Sequence, residues 1–445
     1  MEDFALTALP QAFLSRMESF LGKEYALFLA CYGKSHLRGV RLNPLKCDEA
    51  TLLRSLPFAV LPTPFSRLSY YAPEGVDKLG VLPMHHAGAF YSQEPSAASA
   101  VTVLDPLPGE RVLDLCAAPG GKSTQIAALL MGKGLLWSNE IIKSRANVLL
   151  SNIERMGVRN VAVSSCRPDV LCERLAGFFD KVLVDAPCSG EGMFRRDTRA
   201  VEEWSPEHVA SCAARQLAIL NSASQALKEG GILVYSTCTF SQEENEDVVT
   251  AFLQQNRDFE LLDCGASFGR PGTLPQTRRI FPMDGGEGHF VARLRRLSAN
   301  DCAPPGYLYQ KESKDALECS KWIFKKPPEG IVQQINANLL LMPEGLPCTE
   351  GLNVLRAGVL LGEKKQRVEP AHAAFMAAKP AELVSVLSFP HDSKEAAAFL
   401  HGEELEAPES CKGYTGVAID GVLTGFGKCS NGRLKNRYPK GLRNH

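Results

Sequence analysis

The chain of 445 residues sets 49 Lys and Arg against 50 Asp and Glu, a formal net charge of −1, with 45% hydrophobic and 22% charged residues. That length predicts two or three domains with cores that need no covalent staples. No apolar run reaches the length of a membrane span, and Glu2 and Asp3 stand where a secretory signal would carry a basic n-region.

The 14 cysteines run from Cys31 to Cys429 with no C-x-x-C pair, so reduced thiols in a cytoplasmic protein are expected, with no disulfide framework and no metal site. The charge distribution says more than its sum. From Lys428 to His445 stand Lys428, Arg433, Lys435, Arg437, Lys440 and Arg443 with no acidic residue. Arg278, Arg279, Arg293, Arg295 and Arg296 form a second basic cluster. Such patches can hold phosphates on a neutral protein; the competing reading is a solvated tail and a solvated strand edge.

In chain order, the stretch from about Gln11 to Arg54 reads helical, with Phe13, Leu14, Met17, Phe20 and Leu21 at helical spacing. Glu94, Pro95 and Ser96 resemble a cap and first turn opening an alanine-rich helix. From Arg111 strands and helices alternate: strands at Arg111–Leu115, Leu135–Asn139, Asn160–Ser164, Lys181–Val184 and Gly231–Tyr235, and helices at about Lys122–Leu130, Lys143–Met156 and Pro206–Lys228. That is the pattern of a doubly wound, mostly parallel α/β sheet, Rossmann-like. Arg279–Phe281 and His289–Leu294 read as an antiparallel hairpin, and the core is expected to end near Leu297. Pro304, Pro305 and Gly306, then Pro327 and Pro328, break the chain. Strand-like runs at Ile331–Ile335 and Val417–Leu423 follow. The expected division is an N-terminal helical region (1–92), an α/β core (93–297) and a small C-terminal α+β or β accessory region (298–445).

Four motifs carry chemistry. Cys116, Ala117, Ala118, Pro119, Gly120, Gly121 and Lys122 form a strand-to-helix turn after Asp114. Glycines there let a ligand approach the backbone at a helix N-terminus. The spacing is not that of a nucleoside-triphosphate loop, which favours a nucleoside ligand such as S-adenosylmethionine. Glu140, at the end of the next strand, is placed to accept hydrogen bonds from ribose hydroxyls. Asp185-Ala-Pro187-Cys188-Ser-Gly190-Glu-Gly192 ends one strand and Tyr235-Ser236-Thr237-Cys238-Thr239 ends another. A cysteine is usually a buried small hydrophobe, but two of them at strand ends on the ligand edge, one near an Asp, make that reading poor.

These motifs, in this order, resemble the Nop/Sun family of RNA 5-methylcytosine methyltransferases. Glu191 to Arg196 and the tail Leu434 to Arg443 are similar to its RsmF-type bacterial branch, which acts on small-subunit rRNA. The resemblance covers nearly the whole chain and is strongest from Val81 to Leu294. It implies that Cys238 attacks carbon 6 of cytosine, Cys188 assists release of the enzyme, and Asp185 contacts the cytosine and the cofactor region. S-adenosylmethionine would be held by the Cys116–Lys122 loop and Glu140. The family commonly reads adenine with an acidic residue after the third strand; Arg167 occupies that place here, and Asp169, two residues on, is the candidate substitute. The resemblance further implies a PUA-like RNA-binding appendage and, as partner, 16S rRNA or the small ribosomal subunit. A monomer without metal is expected. The competing functions are an RNA-binding assembly factor without catalysis, methylation of another RNA such as tRNA, and DNA cytosine methylation, for which an evident target-recognition insertion is lacking.

Overall fold

The computed structural model describes residues 9–298, 305–308 and 311–444. The export-signal reading therefore falls on residues almost all outside the described ones, as does Pro304.

The N-terminal region begins with helices α1 (Gln11–Leu21) and α2 (Tyr25–Tyr32). Phe13 and Met17, one turn apart, bury one face of α1 against Phe194, Trp204, Phe240 and Phe281. The helical reading does not hold as far as Arg54. Gly33 ends α2, and Gly39–Leu42 is a strand, β1, before helix α3 (Glu49–Ser55). The cause is local: Pro44 disfavours helix at Asn43, and helix restarts only at Asp48, whose side chain accepts from Thr51 N at 2.7 Å. Strands β2 (Leu61–Pro62), β3 (Ser69–Tyr71) and, after helix α4 (Pro83–His86), β4 (Phe90–Gln93) complete an antiparallel sheet in the order β2-β3-β1-β4.

Glu94 caps the next segment by accepting from Ser96 N and Ala97 N, and α5 (Ser99–Leu104) follows. The core then alternates: β5 (Arg111–Asp114), α6 (Gly121–Leu130), β6 (Leu135–Asn139), α7 (Lys143–Arg155), β7 (Val161–Ser164), α8 (Pro168–Arg174), β8 (Phe179–Asp185), α9 (Thr198–Glu203), α10 (Pro206–Ala226) and β9 (Leu227–Thr237). After α11 (Glu246–Gln255) come β10 (Phe259–Leu262), β11 (Arg270–Pro271), β12 (Arg278–Ile280) and β13 (His289–Arg296). Strands β7-β6-β5-β8-β9 are parallel, and β13 and then β12 add antiparallel at one side. The sheet is covered on both faces, so its strands are apolar almost throughout. Alternate residues serve opposite cores: Leu113 and Trp137 pack on one face, Val112 and Leu136 on the other.

Four of the five arginines of the second cluster are engaged within the chain. Arg279 is buried in an ion pair with Glu246, Arg296 pairs with Asp258, Arg295 with Glu260, and Arg278 donates to the Ala266 carbonyl. The second basic cluster of the sequence is therefore largely structural rather than a phosphate-binding patch.

Beyond the core lie α12 (Lys314–Ile323), β14 (Ile331–Ile335), β15 (Asn338–Met342), β16 (Val354–Ala357), β17 (Val359–Lys364), β18 (Val368–Pro370) and α13 (His372–Ala377). Four of these strands form a sheet β14-β15-β17-β18, but β16 leaves it and pairs antiparallel with β7. The central sheet thus takes a strand from well past Leu297. Last come β19 (Val386–Phe389), α14 (Lys394–His401), β20 (Leu405–Glu406), β21 (Gly413–Ile419), β22 (Val422–Ser430) and β23 (Arg433–Asn436), in a sheet ordered β19-β21-β22-β23-β20. The run Val417–Leu423 is two strands and their turn, not one strand: Asp420 and Gly421 both take positive φ, 48° and 77°, as a two-residue hairpin turn requires.

This last sheet shares one core with the N-terminal sheet, Val40 and Phe90 joining Phe399, Val417 and Leu434. Lys46 crosses the seam, donating to the carbonyls of Met376 and Leu423 at 2.5 and 2.8 Å, and burial pulls its pKa down to about 7. Among the described residues no helix is long and apolar enough to cross a membrane.

Candidate active site

From β5 the chain runs outward to β6 and β7 on one side, while β8 and β9 lie on the other. The carboxyl ends of β5 and β8 therefore flank the switch in strand order, where open α/β sheets hold ligands.

The loop after β5 is fixed from several directions. Ala117 N donates to Asn139 O at 2.8 Å, Arg145 to Ala118 O at 3.1 Å, and Asn152 to Pro119 O at 2.9 Å. Gly120 adopts φ 112°, and a Cβ there would also crowd Leu149, so only glycine starts α6 this way. Arg41 of β1 is fully buried beneath, donating to Gly121 O and Thr124 Oγ1, each at 2.6 Å; burial lowers its pKa to about 9. Asp114 is buried at the strand end. Its Oδ2 accepts from Ser123 Oγ at 2.7 Å, its Oδ1 has no partner, and burial raises its pKa to about 7.

Glu140 is 4% exposed, with Oε1 accepting from Ile142 N at 3.0 Å and Arg145 at 3.4 Å from Oε2. Asp169 lies in the first turn of α8, exposed and paired with Arg167 at 2.5 Å. The hydrogen bond from Arg167 holds Asp169 below the usual carboxylate range.

Asp185, the last residue of β8, accepts from Lys122 Nζ at 2.8 Å and from Ser236 Oγ at 2.7 Å. Burial opposes its ionisation, but Lys122, His289 and Ser236 outweigh it and hold Asp185 below the ordinary range. His289 is buried with neither ring nitrogen bonded, 4.0 Å from both Asp185 and Glu94; burial, assisted by Lys122, lowers its pKa to about 4 and leaves a neutral ring. Three residues after Asp185, Cys188 brings its Sγ to 3.3 Å from Cys238 Sγ, on the loop that leaves β9. That contact first, and burial second, pushes the Cys188 thiol well above its usual pKa.

Two buried glutamates hold the cysteine loops. Glu191 accepts from Trp204 Nε1, Ser241 Oγ, Thr239 Oγ1 and Phe240 N at 2.9, 2.6, 2.8 and 2.7 Å. Glu244 accepts from Ser189 N at 2.9 Å, Gln216 Nε2 at 2.8 Å and the Ser189 hydroxyl. Gly192 N donates to Cys238 O at 2.9 Å, and a Cβ on Gly192 would come 3.0 Å from that oxygen. The structure thus brings Lys122, Asp185, Cys188 and Cys238 together, with the Cys116–Gly121 loop on the same edge, and sets Glu140 at the end of β6 and Asp169 in the first turn of α8. Sequence reasoning missed His289 and Glu244, and gave no role to Ser236 and Glu191 inside the motifs it marked. Ser236 lay inside a motif already marked, whereas nothing in the acidic run Glu243–Asp247 distinguishes the buried Glu244 from its exposed neighbour Glu243.

Sheet order, loop placement and paired charges define a Rossmann-like methyltransferase core. The family model for 16S rRNA methyltransferase RsmB/F matches residues 101–295, and models for the N-terminal domain of 16S rRNA methyltransferase RsmF, the RsmF first C-terminal domain and the RsmF PUA domain match 9–95, 318–377 and 386–444. The chain belongs to the 16S rRNA methyltransferase RsmB/F family, with the additional domains of RsmF. It is 33% identical to ribosomal RNA small subunit methyltransferase F of Vibrio vulnificus strain YJ016, over 98% of this chain and 97% of that one. The protein of the same name from Klebsiella pneumoniae strain 342 is 34% identical, over 97% and 96%. Among solved structures, a methyltransferase homolog protein from Pyrococcus horikoshii superposes with TM-score 0.59 at 30% identity, over 66% of this chain and 98% of that one. NSun6 from Pyrococcus horikoshii, solved with SFG, matches with TM-score 0.60 at 23% identity, over 66% and 100%, a likeness of fold.

Proposed function

We propose that the protein transfers a methyl group from S-adenosylmethionine to carbon 5 of a cytosine in 16S rRNA, through a covalent bond between Cys238 and the base. The observation that carries this reading is the 3.3 Å approach of two thiols beside an ion-paired Asp185, at the carboxyl edge of a methyltransferase sheet.

The cofactor fits the residues present. Asp114 offers an unpartnered buried oxygen, Gly120 opens the backbone at the start of α6, and Glu140 presents a buried carboxylate at the end of β6. In this reading Cys116 to Lys122 and Glu140 hold the cofactor, Asp185 borders it, and Asp169 lies towards the adenine. When bound, S-adenosylmethionine supplies the electrophilic methyl group.

Carbon 5 of cytosine is a poor nucleophile until a thiolate adds at carbon 6. The Cys238 thiolate forms that S–C bond, and the ring electrons move to carbon 5, which receives the methyl group. Asp185 accepts the hydrogen bond of the ring as charge shifts. Cys188, ionised once its own proton has passed to water, takes the carbon 5 proton; the ring double bond re-forms and Cys238 leaves as thiolate. The order of events suits the electrostatics. The hydrogen bond with Cys238 is the largest cause that raises the Cys188 pKa, and alkylation of Cys238 removes that bond, so Cys188 gives up its proton more readily once the S–C bond has formed. The target base must leave any helix to reach the thiols. The working division of labour keeps residues 93–297 as catalytic core, with 1–92 and 298–445 serving RNA.

The test is RNA tritiated at carbon 5 of cytosine. Cofactor-dependent release of tritium from 16S rRNA, free or within the small subunit, is expected. Methylation without tritium release would place the methyl elsewhere, and RNA binding without methylation would leave an assembly factor.

A further inference from the structure

We infer that the seam between the 311–377 unit and the final sheet is a stacking platform for unpaired RNA bases, formed by Trp322 and Tyr414 and bordered by Lys428 and Lys435. This rests on the RNA-substrate reading above and adds where and how a stretch of RNA remote from the reacting base is held.

The platform follows from strand register. Tyr414 of β21 lies directly opposite Lys428 of β22, which lies opposite Lys435 of β23. Directly opposed residues project from the same face of a sheet, so the three form one row across three strands. Lys428 Nζ sits 5.4 Å from the Tyr414 ring centroid. From the neighbouring unit, Trp322 near the end of α12 stacks on Tyr414, with centroids 6.2 Å apart and planes 25° from parallel. Arg437, two residues beyond Lys435, completes the border. Among the described residues Lys428, Lys435 and Arg437 make no ion pair and are exposed. Glu369 faces Tyr414, and Glu363 and Glu154 line the same cavity as Arg437, so the lysines rather than Arg437 are the cations left for a ligand.

Trp322 is 37% exposed, while Trp137 and Trp204 are 0% and 6% exposed. Trp322 is thus the most exposed of the three indoles, and it stands beside Tyr414 and Lys428 rather than alone. Lysines without ion pairs beside an exposed indole that Tyr414 backs match one occupant, single-stranded nucleic acid, whose bases stack on Trp322 while phosphates meet the lysines. A protein partner would be expected to present carboxylates to these cations; a duplex would hide its base faces from the rings.

The sequence contains three tryptophans, so intrinsic emission accessible to iodide is dominated by Trp322. The full chain is titrated with a single-stranded oligouridine of about eight residues and with a duplex of equal length. The expected result is quenched emission and protection from iodide with the single strand, and neither with the duplex. Trp322→Ala should weaken oligouridine binding about tenfold. Lys428→Ala with Lys435→Ala should lower the slope of log affinity against log salt by about 1.4, roughly 0.7 for each phosphate of a single strand that is no longer neutralised. Unchanged cofactor binding in both variants checks that they fold. Filter-retained RNA with unaltered Trp322 emission and wild-type affinity in the variants would overturn the platform, as would equal quenching by the duplex. Failure of the wild-type protein to methylate rRNA while oligouridine still protects Trp322 would instead remove the proposed activity and leave the platform standing.

Discussion

The sulfur of Cys188 lies 3.3 Å from that of Cys238, although fifty residues separate them in sequence. They meet because β8 and β9 are neighbouring parallel strands, Asp185 opposite Ser236, and each cysteine follows its strand by a few residues. Mild oxidation by diamide should therefore join Cys188 to Cys238, each thiol losing its hydrogen to the reagent. Peptide mass mapping should find that pair alongside Cys411–Cys429, whose sulfurs are 2.8 Å apart and serve as the internal control. Linkage of the control pair alone would mean that the two cysteine loops do not meet in solution.

Asp114 should give cofactor binding a pH dependence. Burial raises its pKa to about 7, so near neutrality part of the population is protonated. A cationic cofactor favours the ionised form, so affinity should rise as pH increases from about 6 to 8 and then level off. Calorimetry should show that slope in the wild type and lose it in Asp114→Asn. A flat wild-type profile would place the cofactor's positive charge away from Asp114.

Glu140→Ala should weaken S-adenosylmethionine binding by about 1–2 kcal/mol, the scale of one charge-assisted hydrogen bond to a ribose hydroxyl. The same titration on Asp169→Ala and Arg167→Ala decides which of that exposed pair meets the adenine. Affinity unchanged in Glu140→Ala would remove Glu140 from the site.

Glu244→Ala should uncouple cofactor binding from chemistry. Without its carboxylate the buried Ser189 N–H has no acceptor, a loss of about 1–3 kcal/mol of stability. The Cys188 loop should loosen, lowering the rate of methyl transfer while cofactor affinity, set by the loop after β5, stays near wild type. Equal losses in both would point to general destabilisation instead.

Much of the core was legible because its signals are local. Apolar runs marked β5 to β9, the Gly120–Gly121 turn marked the start of α6, and both cysteines stood at recognisable strand ends. What escaped depends on tertiary contact. Strand β16 joins the central sheet through pairing with β7, and no pattern in Val354–Ala357 names its partner. The strand Gly39–Leu42 was absorbed into a helical reading because its flanks are helices. His289, Glu191 and Glu244 are polar residues whose burial arises only when distant loops close over them. The arginines of β12 and β13 show the converse: a charge cluster in sequence became a set of internal ion pairs once Glu246, Asp258 and Glu260 were folded against it.

The most direct test of the proposed chemistry is the fate of the protein–RNA bond in two cysteine variants. Each is incubated with S-adenosylmethionine and 16S rRNA, denatured, and resolved for covalent complex. Cys188→Ala retains the nucleophile but loses the proton acceptor, so it should accumulate an adduct that survives denaturation. Cys238→Ala should form no adduct and no methylated product while binding the cofactor normally. An adduct on Cys238→Ala and none on Cys188→Ala would reverse the roles of the two thiols and contradict the account.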